Sequence, residues 1–560
     1  MERGDFSTGA ADARAPEHNV ISFLENHAQR IPDKIALQWV AAVSVPEASA
    51  SRSLAQETLT YAQLNAAVAA VSAGLRHLGI QHGDRVIIFI PLSPDLYVAM
   101  FAVQRLGAIA VFLDSWARKD HLGACAAVVA PKAMISFEKA FALCNAVPEL
   151  AAIPLKIVVG PHQAAYTAEL SALKNSPVPA DVAPVRRRDT ALITFTTGSS
   201  GAPKGADRTH RFLAAQHRAL DTEIPYLPHD RDLPVFPIFS LNNLAGGVTT
   251  ILPAIDLAAP AVTDAAVLVN QLFAGQASCC TLSPSLFIAV AAYCRQQGIG
   301  LECLRRVVTG GAPVSKDNVR DFQAIAPQAE IAVLYGSTEV EPIAHITAAE
   351  MLGDETPRPG VNVGHISTDL MYKFIKITRG NVVLSDAGWT AWEVAAGACG
   401  ELVVSGEHVC ESYYNNPEAC AAVKIRDMDG RIWHRTGDVG YRDKQGRLWL
   451  VGRVHNTIVR NGEYLFPVQA EIVLKRLPFV RQAAFVGIED ALRGEKACAV
   501  VSLQDGMPAE KTESYRAEMR RVLGEEQIPV DEIYFVPEIP LDPRHHSKVE
   551  YAQLRRMIGH

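Results

Sequence analysis

The sequence predicts an α/β protein: parallel sheets with helices on their faces, then a β-rich stretch, then a compact α+β unit. Three observations predict it. Helical and strand-like patterns alternate through the first third of the chain, as successive βαβ units do. From about Gly400 short strands take over, punctuated by Gly, Asp and Asn. From about Thr457 to the end the pattern is that of a small mixed unit.

Taken in order, Leu59 to Leu64 opens a helix with Thr60 as its cap, and apolar positions recur through Leu78. Val86 to Ile90 is a short β-branched run that reads as a buried strand. Leu96 to Leu113 is the most apolar segment, yet it contains Gln104 and Arg105. It reads as a buried helix followed by a strand over Ala108 to Phe112, not as a membrane span. Leu155 to Gly160, Thr190 to Phe195 and Ile331 to Leu334 read as further strands, and Glu401 to Ser405 and Arg447 to Val451 as strands of the β-rich stretch. In open α/β sheets ligands bind beyond the carboxyl ends of strands, so the loops after these strands are where chemistry is expected.

The chain has 560 residues, 49% apolar and 20% charged. Length alone suggests about three to four domain-sized units. The formal net charge of −7 carries no footprint for nucleic acid. Arg186-Arg187-Arg188 reads as a solvated face. The 10 cysteines form no C-x-x-C pair, which argues against zinc and disulfide frameworks and for reduced thiols packed as small apolar groups. Residues 1–18 lack the apolar centre of a signal peptide and read as a flexible tail. A cytoplasmic location fits these features.

The strongest chemical signal is Thr194-Phe195-Thr196-Thr197-Gly198-Ser199-Ser200-Gly201-Ala202-Pro203-Lys204-Gly205. Glycines let backbone N–H groups approach an anion, hydroxyls donate to phosphate oxygens, and Lys204 adds a point charge. It is not a Walker A loop, because Pro203 precedes the lysine and no Ser or Thr follows it. On its own such a loop is more often a surface turn. The full string, however, resembles the phosphate-binding signature of the adenylate-forming superfamily: acyl-CoA synthetases, luciferases and peptide-synthetase adenylation domains. The resemblance continues in order from about Phe23 to Arg556.

That resemblance implies the rest of a nucleotide site. Thr309-Gly310-Gly311-Ala312-Pro313 is similar to the segment lining the adenine pocket. Tyr335-Gly336-Ser337-Thr338-Glu339 is similar to the segment in which Tyr335 stacks adenine, Thr338 contacts the α-phosphate and Glu339 binds Mg²⁺. Gly400 to Gly406, and then Tyr414-Asn415-Asn416-Pro417-Glu418, match the next block. In Arg435-Thr436-Gly437-Asp438, Asp438 resembles the ribose-binding aspartate, and Arg453 a ribose or phosphate contact at a hinge over Arg453 to Ile458. Lys548 stands where the family has its catalytic lysine. Glu341 matches nothing and reads as a surface acid. The implied organisation is an AMP-binding domain over 19–455, made of α/β subdomains plus a β-rich subdomain, and a small mobile α+β domain over 456–560 on a hinge.

The implied reaction is attack of a carboxylate on the α-phosphorus of ATP, with release of pyrophosphate. Thr338, Glu339 and Lys548 are its expected catalytic residues. The expected partners are a small-molecule carboxylic acid, aliphatic by preference, and for a thioester CoA or an acyl-carrier protein. The acyl pocket is expected among Phe236 to Gly247, Cys279 to Ile288 and Gly310 to Pro313. An alternative comes from three departures. Asn456 replaces the hinge aspartate, Ser240 stands where an aromatic-histidine pair usually ends, and Ser547 replaces the glycine before the lysine. Pro540-Leu541-Asp542-Pro543-Arg544-His545-His546-Ser547-Lys548 resembles the olefin-pathway β-lactone synthetase branch, whose 2-alkyl-3-hydroxy acids cyclise through their own adenylate without CoA. A third alternative is a binding protein without turnover, which Lys204, Glu339, Asp438 and Lys548 argue against.

Overall fold

The computed structural model describes residues 13–40, 55–113, 119–176, 178–197, 203–257, 263–354, 358–507, 509–541 and 549–559. The chain packs into two compact units. Unit 1 holds residues 1–311, 315–343 and 406–421, and unit 2 holds 312–314, 344–405 and 422–560.

Unit 1 contains the parallel sheets that the sequence predicts. One sheet runs in the order Ala168–Glu169, Leu155–Val158, Ala133–Ser136, Arg85–Phe89, Ile109–Phe112, Thr190–Thr197, Pro203–Thr209. All its pairings are parallel except the last, which is antiparallel. A second set runs in the order Glu330–Ser337, Arg306–Gly310, Cys279–Leu282, Arg231–Pro234, Thr249–Ile251, Ile35–Val40, Gln56–Thr60. These too are parallel apart from the edge pair formed by Ile35–Val40 and Gln56–Thr60.

Local chemistry explains the helices that cover them. Thr60 caps the helix Tyr61–His77 reciprocally. Its hydroxyl accepts from the Gln63 N–H at 3.2 Å, and Gln63 Oε1 accepts from the Thr60 N–H at 2.9 Å. The helix Pro94–Arg105 is buried all round from Leu96 to Arg105, as a helix apolar on every face must be. Arg105 and the amide nitrogen of Gln104 find acceptors inside the fold. Arg105 donates to Ala180 O at 2.6 Å and pairs with Glu25 at 2.8 Å, and Gln104 donates to Ala191 O at 3.3 Å. The described part of the expected N-terminal tail also joins the fold, because Ala15 and Val185 exchange backbone hydrogen bonds at 3.0 and 3.2 Å. Arg186, Arg187 and Arg188 are exposed, as expected.

Unit 2 is β-rich. Its strands Met371–Ile375, Gly400–Ser405, Ile432–Arg442, Arg447–Arg453 and Val361–Ile366 lie in that order, all antiparallel. A further sheet runs Glu463–Leu465, Ile458–Arg460, Gly494–Leu503, Val480–Asp490, with Glu532–Phe535 beside Gly494–Leu503. Helices Pro467–Lys475 and Thr512–Glu525 bury apolar side chains of that sheet around Phe485, Val501 and Met519, and Tyr551–Ile558 packs through Leu554 against Val486 and Val500. No described helix is long and apolar enough to cross a membrane. All 10 cysteines are free, and most are buried.

His210 makes unit 1 sensitive to acid. Its Nδ1 accepts from the Val20 N–H at 3.2 Å, and burial holds the ring neutral, lowering its pKa from 6.5 to about 3. The unfolded chain therefore binds one more proton than the folded chain between those values. This contribution is complete above pH 6.5 and is lost as pH falls towards 3, at about 1.4 kcal/mol per pH unit. Urea unfolding at pH 7 and pH 4.5 is expected to show a larger acid loss for wild type than for His210→Gln.

Candidate active site

The site in unit 1 starts from a hairpin. Thr190–Thr197 pairs antiparallel with Pro203–Thr209, with Phe195 opposite Gly205, Thr196 opposite Lys204 and Thr197 opposite Pro203. The hydroxyl- and glycine-rich string is thus not one turn after a strand. Its lysine sits on the returning strand, while Gly198, Ser199, Ser200 and Gly201 lie outside the described residues. Gly205 must be small, because a Cβ there would fall 2.9 Å from Ile193 Cγ2 and 3.2 Å from Phe195 Cε1.

A second turn carries the acid. Tyr335, Gly336 and Ser337 end the strand Glu330–Ser337, Thr338 and Glu339 form the turn, and Val340 starts the return strand. This turn sits at the carboxyl end of a parallel strand, where the sequence argument placed the chemistry. Gly310, on the neighbouring strand, admits no side chain, since a Cβ would lie 2.3 Å from Leu334 O. Gly311 follows with φ +88°, a left-handed backbone that favours glycine. Ala312 and Pro313 belong to unit 2.

The segment Val409 to Tyr414 holds the lysine hairpin and the acidic turn together. At one end Val409 bridges Val340, and the Cys410 N–H donates to Glu339 O at 2.8 Å. At the other end Tyr413 bridges Ala206, and the Tyr414 N–H donates to Gly205 O at 2.8 Å. Between them the Tyr413 phenol donates to Glu339 Oε1 at 2.6 Å, and its ring lies 5.9 Å from Lys204 Nζ. Burial, then the Glu339 charge, raises the Tyr413 pKa far beyond the usual range, so the phenol stays a donor. Arg208 fixes the acidic turn from the lysine strand by donating to Thr338 O at 2.9 Å.

Sequence reasoning missed Tyr413 and Arg208. Tyr413 immediately precedes the matched Tyr414-Asn415-Asn416-Pro417 block, but adjacency to a motif says nothing of a contact with a residue 74 positions away. It also misread Glu341. This residue is not a surface acid: it is half-buried, and burial pushes its pKa up to about 7 against the opposing pull of Arg208.

In unit 2 the structure brings Asp438 and Arg453 together. They are cross-strand partners, and Arg453 Nε meets Asp438 Oδ1 at 2.9 Å. The preceding residues shape this presentation. Arg435 is buried against Glu401, with Nε 3.1 and 3.0 Å from its two oxygens and Nη2 2.7 Å from Oε2. Its remaining N–H groups donate to Thr378 O, Gly380 O and Ala422 O. The Thr436 hydroxyl donates to Leu402 O at 2.9 Å and accepts from the Asp438 N–H at 3.0 Å, and Gly437 turns the chain at φ +71°. The expected hinge contains a short 3-10 turn, Val454–Asn456, whose Asn456 is buried. Lys548 lies outside the described residues. Leu541 and Val549, on either side of that stretch, pair across a β-bridge.

Among the described residues no group of three or more His, Cys, Asp and Glu could hold a metal. Unit 1 instead offers Glu339, one hard carboxylate held by the Tyr413 phenol, which suits a cation that takes most of its ligands from phosphate and water.

The sequence pattern of the AMP-binding enzyme family matches residues 24–414, and that of its C-terminal domain matches residues 469–545. An olefin beta-lactone synthetase of Stenotrophomonas maltophilia (strain K279a) is 30% identical, over 96% of this chain and 97% of its own length. A 4-coumarate–CoA ligase 3 of Oryza sativa subsp. japonica is 26% identical, over 90% and 88%. The solved amide bond synthetase McbA from Marinactinospora thermotolerans shares the fold with a TM-score of 0.77 at 23% identity, over 96% of this chain and 99% of that one.

The Glu401–Arg435 pair gives a prediction. Arg435→Ala leaves a buried carboxylate uncompensated, and the expected cost is about 3 to 5 kcal/mol. Urea unfolding followed by a probe in unit 2 measures it, and an unchanged midpoint would contradict the pairing.

Proposed function

The chain belongs to the AMP-binding enzyme family, and from that membership we propose that it activates an aliphatic carboxylic acid with ATP, forming an acyl-adenylate and pyrophosphate. The observation that carries the reading is the match over residues 24–414, with the motif residues in order and Lys204, Tyr413 and Glu339 gathered at one point in unit 1. The domain boundary is proposed at residues 455 and 456, and the location as cytoplasmic, with the ten free cysteines as support.

The chemistry asks the protein to hold and neutralise a polyphosphate, not to supply a nucleophile. In this reading Thr196, Thr197, Gly198, Ser199, Ser200, Gly201 and Lys204 cradle the β- and γ-phosphates. Tyr335 and the Gly311 to Pro313 segment take the adenine, and Thr338 meets the α-phosphate. Asp438 accepts from the ribose hydroxyls, with Arg453 orienting its carboxylate. Lys548 bridges the incoming carboxylate and the α-phosphate. A magnesium ion on Glu339 would neutralise charge on the leaving pyrophosphate. Tyr413 holds Glu339 in place through its 2.6 Å hydrogen bond and so orients the carboxylate.

The adenylate is then passed to an acceptor. Our reading is a thiol, on CoA or a carrier protein. The second reading, capture by the substrate's own 3-hydroxyl to give a β-lactone, has its support in the Pro540 to Lys548 string and in the 30% identical relative.

Lys548→Ala is expected to lower ATP–pyrophosphate exchange by roughly 100-fold or more while leaving the circular dichroism spectrum unchanged. Wild-type exchange in that variant would refute the assignment. Asp438→Ala is expected to act mainly through KM for ATP. Mass spectrometry of products from a plain and a 2-alkyl-3-hydroxy acid, each with and without CoA, separates the acceptors. A CoA-dependent thioester supports the first reading. A CoA-independent product lighter than the hydroxy acid by one water supports the second.

A further inference from the structure

Arg208 is a buried cation to which the phosphate handling above gives no part. It lies on the strand Pro203–Thr209, and alternation along that strand puts Lys204, Ala206 and Arg208 on one face. Arg208 is only 5% exposed. Its guanidinium carbon lies 5.6 Å from the centre of the Phe212 ring, and its Nη2 donates to Thr338 O at 2.9 Å. A planar cation held over an aromatic ring points its N–H groups in fixed directions, which an ammonium on a flexible stem does not.

The hydrogen bond falls on a peptide with consequences for the acidic turn. The Thr338–Glu339 peptide is planar and trans, so turning Thr338 O onto Arg208 turns the Glu339 N–H to the opposite side. The next peptide is held as well, because Glu339 O accepts from the Cys410 N–H at 2.8 Å. The peptide planes on both sides of the Glu339 Cα are therefore anchored, and the Tyr413 phenol then fixes the carboxylate at 2.6 Å. The anchors come from the strand Pro203–Thr209 and from the segment Val409 to Tyr414, both distant from the turn in sequence. A turn at the tip of two strands is ordinarily among the more mobile parts of a fold. Here its first carbonyl is gripped by a charged donor, about twice as strong as a neutral one. Beside it, among the described residues, the Ser337 hydroxyl is buried without a partner, which fits a turn kept for a ligand.

We propose that Arg208 is a positioning residue for adenylate formation: by holding the Thr338–Glu339 peptide it sets where the Thr338 hydroxyl and the Glu339 carboxylate meet the phosphates. This rests on the acid-activation reading. Arg208 touches neither nucleotide nor acid in this role, so its effect falls on the chemical step and not on binding. Because Lys204 and Arg208 share one strand, the phosphate-binding cation and the acidic turn keep a constant spacing, as preorganised charge stabilisation requires.

The test is ATP–pyrophosphate exchange with decanoic and 3-hydroxydecanoic acid on wild type, Arg208→Met and Arg208→Lys. Calorimetric titration with Mg-ATP counts the binding-competent molecules, so that a slower step is told apart from a smaller folded fraction. Arg208→Met keeps an unbranched stem over Phe212 but has no donor. It is expected to lower kcat per ATP site by roughly 10- to 100-fold, the size of a misplacement of about 1 Å, while KM for ATP changes by less than about threefold. A kcat per site within about threefold of wild type, or a loss carried by KM for ATP alone, overturns the assignment. If Arg208→Met does not fold, Arg208→Lys decides, since it keeps the charge but not the rigid fork. A kcat per site lowered by about threefold or more at constant KM for ATP then supports the role, and an unchanged kcat overturns it. Exchange by wild type with equal rates in the folded variants sinks this inference alone. No exchange by wild type with any aliphatic acid overturns the activation reading and this one with it.

Discussion

One hydrogen bond organises the candidate site of unit 1: the Tyr413 phenol on Glu339, 2.6 Å long and part-buried. A lysine on one sheet and a carboxylate on another have no reason of their own to meet. The segment Val409 to Tyr414 brings them together by adding backbone bonds to both edges, and Tyr413 completes the link with its ring beside Lys204. Because the phenol never ionises in this setting, it holds the carboxylate without competing for its charge. In the proposed reaction a carboxylate held this way would carry a cation to the phosphates, and the lysine would add a second positive charge.

Unit 2 uses a different device to hold a carboxylate. Asp438 is displayed at a bend that Thr436 and Gly437 make, and the bend is anchored by Arg435 in the fork of Glu401. A buried pair like this contributes little net stability, but its geometry is demanding. Every Arg435 N–H direction is used, on Glu401 and three backbone carbonyls. The motif residue Arg435 therefore needs no part in ligand binding to matter.

The acceptor question belongs to a different level of structure. The relatives named above are a beta-lactone synthetase, a CoA ligase and an amide bond synthetase, so the shared fold is compatible with more than one acceptor. The sequence departs from the pattern it otherwise resembles at Ser240, which the structure buries.

Pattern was enough for much of this protein. Alternating helices and strands, the Thr60 cap, the buried Leu96 segment and the β-rich stretch after Gly400 all follow from local periodicity and capping, which depend on neighbours a few residues apart. The ordered motifs likewise led to the AMP-binding family. Pairings between distant positions were not legible: Tyr413 with Glu339, Arg208 with Thr338 and Arg435 with Glu401 join residues 34 to 130 positions apart. Nor was the burial of Glu341, which as a letter in the sequence looks like any surface acid. The sequence by itself determined which residue types are available and which elements they form. Only the tertiary structure decided which of them meet, because a buried charge is settled by the donors that other strands bring to it, and those donors are set by packing across the whole fold.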